Sequence, residues 1–240
     1  MEAGTRDGHP DAAPRAGDTG SEGPAGRGHV SWPRVGGMAA VAAPLLMWAE
    51  CIGHGLARSG YDLLTRAASD LGARGAPDAA PFTVGFFYGP GLLTGLLGVG
   101  LWRAVRGGWA WRTGALLVVA EGLLLVLAGA FPEDATSARA TSLHQDLANA
   151  CFTAAVLAPL ALVWGAPAAA FGPPRRLWLL SGAVLALLQV TGAVVGASVP
   201  PGLVQRPFGL VLTVWFLSTG AWLLRLPNPA PPGGHAGRAP

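Results

Sequence analysis

Six long apolar blocks, parted by short polar or turn-forming stretches, organise the chain. They fall at about 35–57, 82–102, 113–131, 147–164, 177–199 and 208–226, each close to the roughly 20 residues that carry a helix across a bilayer. The apolar residues come in continuous runs, whereas the surface helix of a soluble domain gathers them in a stripe of period 3.6. Strong breakers separate the blocks: Gly107-Gly108, Gly172-Pro173-Pro174, Pro200-Pro201-Gly202, and the sharp stop at Phe131-Pro132-Glu133-Asp134. The predicted fold class is all-α, a polytopic membrane protein with six transmembrane helices in one bundle over 35–226. Tails at 1–34 and 227–240, rich in Gly and Pro and poor in apolar residues, are expected to be disordered.

Finer features follow from local spacing. Ser142 and Gln145 read as a capping box that opens the fourth helix. In the long loop 58–81, Ser59 and Asp62 suggest a cap. Tyr61, Leu64, Ala68 and Leu71 there share one helical face, which predicts a short helix lying on the membrane surface. Gly85/Gly89 and Gly91/Gly95 in the second helix, and Gly192/Gly196 in the fifth, have the spacing that lets helices approach in lipid. Helices 2 and 5 are therefore expected at the centre, with helix 2 kinked at Pro90.

Composition agrees with the pattern and adds an orientation. The 240 residues are 51% hydrophobic and 12% charged, about half the charge of a soluble domain. There is no lysine, and the 36 Gly and 21 Pro accompany a basic set made of arginine alone, which suggests a GC-rich bacterial genome. Arg27 and Arg34, then Arg103, Arg106 and Arg112, then Arg175 and Arg176, and finally Arg225 mark one side. On the other side Arg58, Arg66 and Arg74 are balanced by Asp62, Asp70 and Asp78, and only Arg139 and Arg206 follow. The positive-inside rule then puts both termini in the cytoplasm of a bacterial cell membrane, and Trp32, Trp102, Trp109, Trp111, Trp164, Trp178 and Trp222 fall near that inner interface. Arginines dispersed at helix ends do not form a nucleic-acid stripe. Membrane lipids are the expected partners, and a nucleic-acid partner is not expected.

Several polar residues call for an explanation. Glu121 near the middle of helix 3, and Glu50 with His54 one turn later on helix 1, are ionisable groups in apolar blocks. Such groups often carry a proton or line a cargo path; a buried network that includes Gln189 and Thr191 of helix 5 accounts for them equally well. A second set belongs to the outer side: Ser69-Asp70, Glu133-Asp134, His144, Asp146 and Asn149. It holds the acid, base and hydroxyl groups that a hydrolase or metal site uses, and the same residues also suit helix ends. Cys51 and Cys151 fall at similar depth on helices 1 and 4 and read as small buried hydrophobes.

Ser69-Asp70-Leu71-Gly72, Pro81-Phe82 opening a Gly-rich helix, Phe131-Pro132-Glu133-Asp134 and His144 together resemble a bacterial membrane family called domain of unknown function 998, over roughly 36–226. The Ser-Asp-Leu-Gly and Pro-Phe stretch is more distantly similar to the damage-regulated autophagy modulator type of six-helix protein. The resemblance implies a six-helix bundle with polar motifs in its first two outer loops, draws attention to Ser69, Asp70, Pro132, Asp134 and His144, and carries no activity with it.

Three functions compete. The first is a non-catalytic bundle that binds lipid or a partner at an outward-facing polar mouth, without a cofactor. The second is a membrane-embedded lipid hydrolase using Asp134 and His144, with Ser69 and Asp70 as further catalytic candidates and a metal at His144/Asp134 as one form of it; a zinc site ordinarily takes three protein ligands. The third is a proton-coupled transporter using Glu50, His54 and Glu121. A haem protein would have only His54 and His144 as ligands within the membrane region. No GxxxxGK[ST], GxGxxG or GxSxG motif is present, which sets nucleotide and serine-elbow chemistry aside.

Overall fold

The computed structural model describes residues 31–166, 174–196 and 198–227. These residues are helical with turns between, and no strand occurs among them. Six helices are long and apolar enough to cross a membrane: α1 (Trp32–Ala57), α2 (Ala79–Ala104), α3 (Trp109–Ala130), α4 (Ala138–Gly165), α5 (Pro174–Val195) and α6 (Pro201–Arg225). The protein is a multi-pass membrane protein of all-α class. Each helix packs on its neighbours in sequence, and α6 returns to α1, so the six close into a ring. The tails expected at 1–34 and 227–240 lie outside the described residues apart from Ser31–Arg34 and Pro227.

Close backbone approach holds the first three helices together. A Cβ on Gly36 would stand 2.8 Å from the Cα of Gly100, and a Cβ on Gly91 would stand 2.7 Å from the carbonyl oxygen of Gly122. Only glycine permits α1–α2 and α2–α3 contacts this near, and in lipid such contacts supply dispersion where no hydrophobic effect acts between helices. The core at one end is aromatic. Trp111, Trp178 and Trp215 are fully buried, and Trp222 meets the rings of Trp111 and Trp178 edge-on at 6.1 and 5.6 Å.

Some boundaries and contacts differ from the sequence expectation. α4 begins at Ala138, about two and a half turns before the expected 147. Ser137 is its N-cap, its Oγ accepting from Ala140 N–H at 3.3 Å, and Ser142 and Gln145 lie inside the helix. α6 begins at Pro201 because a proline in the first turn has no N–H to leave unpaired. A π-helical stretch at Thr83–Tyr88 lies just before Pro90 in α2. A proline withholds its N–H from the carbonyl one turn back, and a widened turn is one way a helix absorbs that.

Helix 5 is peripheral, not central. Only 22% of its most apolar stretch is buried, against at least 39% in each of the other five. Gly192 meets the Val204 side chain of α6 instead of another helix backbone.

The surface helix expected in the first long loop does not form. Asp62 folds the chain into a turn, accepting from Leu64 N–H at 2.9 Å and from the Thr65 hydroxyl at 3.0 Å, after Gly60 at φ +74°. Between α1 and α2 only a 3₁₀ turn at Ala68–Leu71 is helical, and α2 itself opens at Ala79, ahead of the expected 82. The loop tucks against the bundle: Leu71 is buried with Phe82 and Phe87, and Ala68 N–H donates to Gln205 Oε1 of α6 at 3.0 Å.

Candidate functional site

The end of the bundle opposite the tryptophans holds two adjoining chambers. One, of about 120 Å³, is apolar and reaches between helices past Met47, Trp48, Phe87, Leu125 and Leu212. The other, of about 600 Å³, is walled by α4, α5 and α6 and carries Glu133, Gln145, Asn149 and Gln189. Ser69, His144, Ala148, Phe152, Gln205 and Phe208 line both, and so form the junction.

His144 is placed by two helix ends. The last carbonyls of a helix lack donors within it, and the early turns of α4 lie against the end of α3. His144 Nδ1 is 2.9 Å from the carbonyl oxygen of Ala128 and 3.0 Å from that of Phe131. Carbonyls only accept, so Nδ1 carries the hydrogen and Nε2 is the nitrogen left for other chemistry. Nε2 lies 3.8 Å from Glu133 Oε1, and the same oxygen accepts from the Ser69 hydroxyl at 3.3 Å. The loop after α1, the turn after α3 and the start of α4 thus converge on one Ser69–Glu133–His144 cluster. Its carboxylate stands in the middle, bonded to the serine.

Asp70 and Asp134 line neither chamber. Asp70 Oδ2 accepts from Arg66 Nε at 3.0 Å, while its backbone carbonyl accepts from Arg58 Nη1 at 2.8 Å. Asp134 organises the turn between α3 and α4: Oδ1 accepts from the hydroxyl of Thr136 at 2.6 Å and its N–H at 2.9 Å, and Oδ2 pairs with Arg74 Nε at 3.3 Å. The Thr136 hydroxyl first, then its N–H and the nearby Arg74, hold the Asp134 carboxyl below the usual carboxylate range.

The polar residues within the spans occupy three separate interfaces. Glu50 Oε2 and His54 Nε2 are paired at 3.1 Å on α1, with Gly85 of α2 leaving room for the glutamate. Glu121 is buried on α3 beside α4, where Cys151 Sγ donates to its backbone oxygen at 3.5 Å; its Oε2 has no hydrogen-bond partner among the described residues. Gln189 of α5 donates to Thr153 Oγ1 of α4 at 2.9 Å and lines the polar chamber. Glu50, His54 and Glu121 line neither chamber, whereas Cys51 and Cys151, both free thiols, line the apolar one.

Gln205 and Arg206 lie near the start of α6, and of the two only Arg206 enters the sequence reading, as one of the outer-side arginines. The Arg206 guanidinium reaches the first loop, donating through Nη2 to the Tyr61 hydroxyl at 2.9 Å and the Arg66 carbonyl at 3.2 Å, and through Nη1 to Gln205 Oε1 at 3.4 Å. Burial pushes the Tyr61 phenol above its ordinary value, with Arg206 opposing. The phenol is accordingly neutral at physiological pH, and its own O–H donates to the Ala67 carbonyl at 2.8 Å. The sequence signal for this pair was slight: two long polar side chains four and five positions after Pro201, ahead of an apolar run.

No three His, Cys, Asp or Glu side chains come together as a metal-binding group among the described residues. Chemically the site offers a histidine with one free ring nitrogen, a carboxylate, a hydroxyl, several amides and one guanidinium, all at the head of an apolar recess. Residues 41–222 match the family described as "Protein of unknown function (DUF998)", and the chain belongs to that family. No curated protein and no solved structure matches the chain.

Proposed function

We propose that this membrane protein is a non-catalytic bundle that binds a lipid through a polar mouth, the lipid's headgroup in the polar chamber and its chain in the apolar one. The observation that carries the reading is the junction: a polar space and an apolar recess share six lining residues. Binding sites for amphiphiles combine an apolar wall with a few convergent polar groups in this way. The arginine bias of the loops supports a bacterial plasma-membrane location with both termini cytoplasmic and the mouth facing outward. Native mass spectrometry of the full chain released from mild detergent tests the binding. A lipid retained at one per chain, and still retained when bulk lipid is diluted away, is the expected result; chains stripped clean under those conditions overturn it.

A lipid hydrolase is the second reading, favoured by the Ser69–Glu133–His144 cluster. It requires the Ser69 hydroxyl to leave Glu133 and approach His144 Nε2, since a nucleophile must reach its base. Release of fatty acid from ester or amide lipids by the wild type, abolished in His144→Ala and in Ser69→Ala, would put this reading first. No turnover over prolonged incubation removes it.

A further inference from the structure

We infer that the bound lipid is an amphiphile with an anionic headgroup, and that Gln205 at the junction, with Arg206 reaching the head from the apolar side, selects it. The inference rests on the lipid-binding reading and narrows its ligand class.

The argument starts from charge balance. Around the first loop, Arg66 and Arg74 are each matched by an aspartate, at 3.0 and 3.3 Å, while Arg58 donates to the Asp70 backbone carbonyl and lines neither chamber. Arg206 has no such match: no carboxylate lies within 4.0 Å of its guanidinium among the described residues. Its partners are the Tyr61 hydroxyl and the neutral oxygens of Arg66 and Gln205. Yet Arg206 lines the apolar chamber, and its Nε is buried without an acceptor. The residue as a whole is half-buried; a guanidinium cannot shed its charge there, and a partly desolvated cation gains from an anion that meets it.

Gln205 adds a donor of the same kind. Its Oε1 accepts from Ala68 N–H at 3.0 Å, which fixes the amide orientation. The amide nitrogen makes no hydrogen bond among the described residues, and the side chain lines both chambers. The junction thus offers one spare donor, the Gln205 amide, next to a guanidinium without a counter-ion on its apolar side, and the hydroxyl beside them, on Ser69, is already given to Glu133. A spare amide donor beside a permanent cation that lacks a counter-ion fits a carboxylate or phosphate-type head. The apolar recess takes the chain attached to it.

The test compares oleate, monoolein and oleoyl lysophosphatidylcholine, which share one chain and differ in head charge, for binding to the full-length protein in a non-ionic detergent. Trp48 lines the apolar chamber and gives a fluorescence readout. Oleate is expected to bind about tenfold more tightly than monoolein. Arg206→Gln erases that difference, and Arg206→Lys retains most of it, with size-exclusion profiles and melting curves showing that each variant is folded. Equal affinity for the three probes, or a preference that survives in Arg206→Gln, overturns the inference and leaves lipid binding intact. No binding of any probe overturns the lipid reading itself. Acetate or inorganic phosphate competing as well as oleate would show a plain anion site, and that too overturns the inference.

Discussion

His144 Nδ1 donates to the carbonyl oxygen of Ala128, 2.9 Å away across the α3–α4 interface, and a second carbonyl at Phe131 shares the same hydrogen. The histidine is thus a side-chain cap on the end of α3 as well as a wall of both chambers. Replacing it with phenylalanine removes the donor and leaves two helix-terminal carbonyls short of a partner in a buried place. The expected cost is about 1–3 kcal/mol, read as a lower melting temperature in detergent. Nitrogen NMR of the imidazole is expected to show the Nδ1–H tautomer. An Nε2–H tautomer together with unchanged melting of His144→Phe would remove the capping role.

A second contact is steric. Gly85 on the π-helical stretch of α2 faces Glu50 so closely that an added Cβ would overlap the glutamate's carboxyl group. Gly85→Ala is therefore expected to push the Glu50 carboxyl aside and off His54 and to destabilise the bundle by about 1 kcal/mol, the low end of the cost of overpacking because a side-chain end can move. Because the clash is with one side chain, Glu50→Ala should relieve most of it. A double-mutant cycle by thermal melting measures the coupling; strictly additive effects of the two changes would mean that the strain lies elsewhere.

The turn at Asp134 makes a pH prediction of definite sign. Thr136 and Arg74 favour the carboxylate, so the folded-state value is depressed. A depressed carboxyl contributes stability that is fully present above the unfolded value of about 3.9 and is lost as pH falls through the folded value. Asp134→Asn should melt lower at neutral pH and lose less on acidification below about pH 4 than the wild type does. Parallel acid limbs in the two proteins would contradict the assignment.

Most of the fold was legible because a membrane span is written as a continuous apolar run, and six such runs leave little freedom. Helix ends were less legible for the same reason. The first turns of α4, with Arg139, Thr141, Ser142, His144, Gln145 and Asp146, are too polar to register as part of a span, yet they bring His144 to the end of α3. Helix 5 misled because small residues spaced four apart serve equally to admit a backbone or a neighbouring side chain, and Gly192 admits Val204 of α6 beside the polar chamber. In the site, Ser69, Glu133 and His144 belong to motifs visible in the sequence, but the sequence gives no means of choosing between Glu133 and the adjacent Asp134 as the residue facing histidine. Arg206 was invisible as a site residue because its isolation from carboxylates exists only once the first loop has folded onto α6.

Ala148 permits the most direct test of where the lipid sits. It lies on α4, one turn beyond His144, and lines both chambers, so its small side chain keeps the junction open. Ala148→Trp adds an indole at the point where head and chain would meet, while the half-exposed position spares the variant a buried clash. The expected result is about a tenfold loss of co-purifying lipid or added oleate, with the melting temperature of the lipid-free protein little changed. Leu187→Trp is the control: that residue is 65% exposed on the outward face of α5 and lines neither chamber, so its binding should match the wild type. If both variants hold lipid like the wild type, the lipid is annular and the chambers are not its site. If only Ala148→Trp loses it, the junction is the binding site and the remaining question is the chemistry of the head that Arg206 meets.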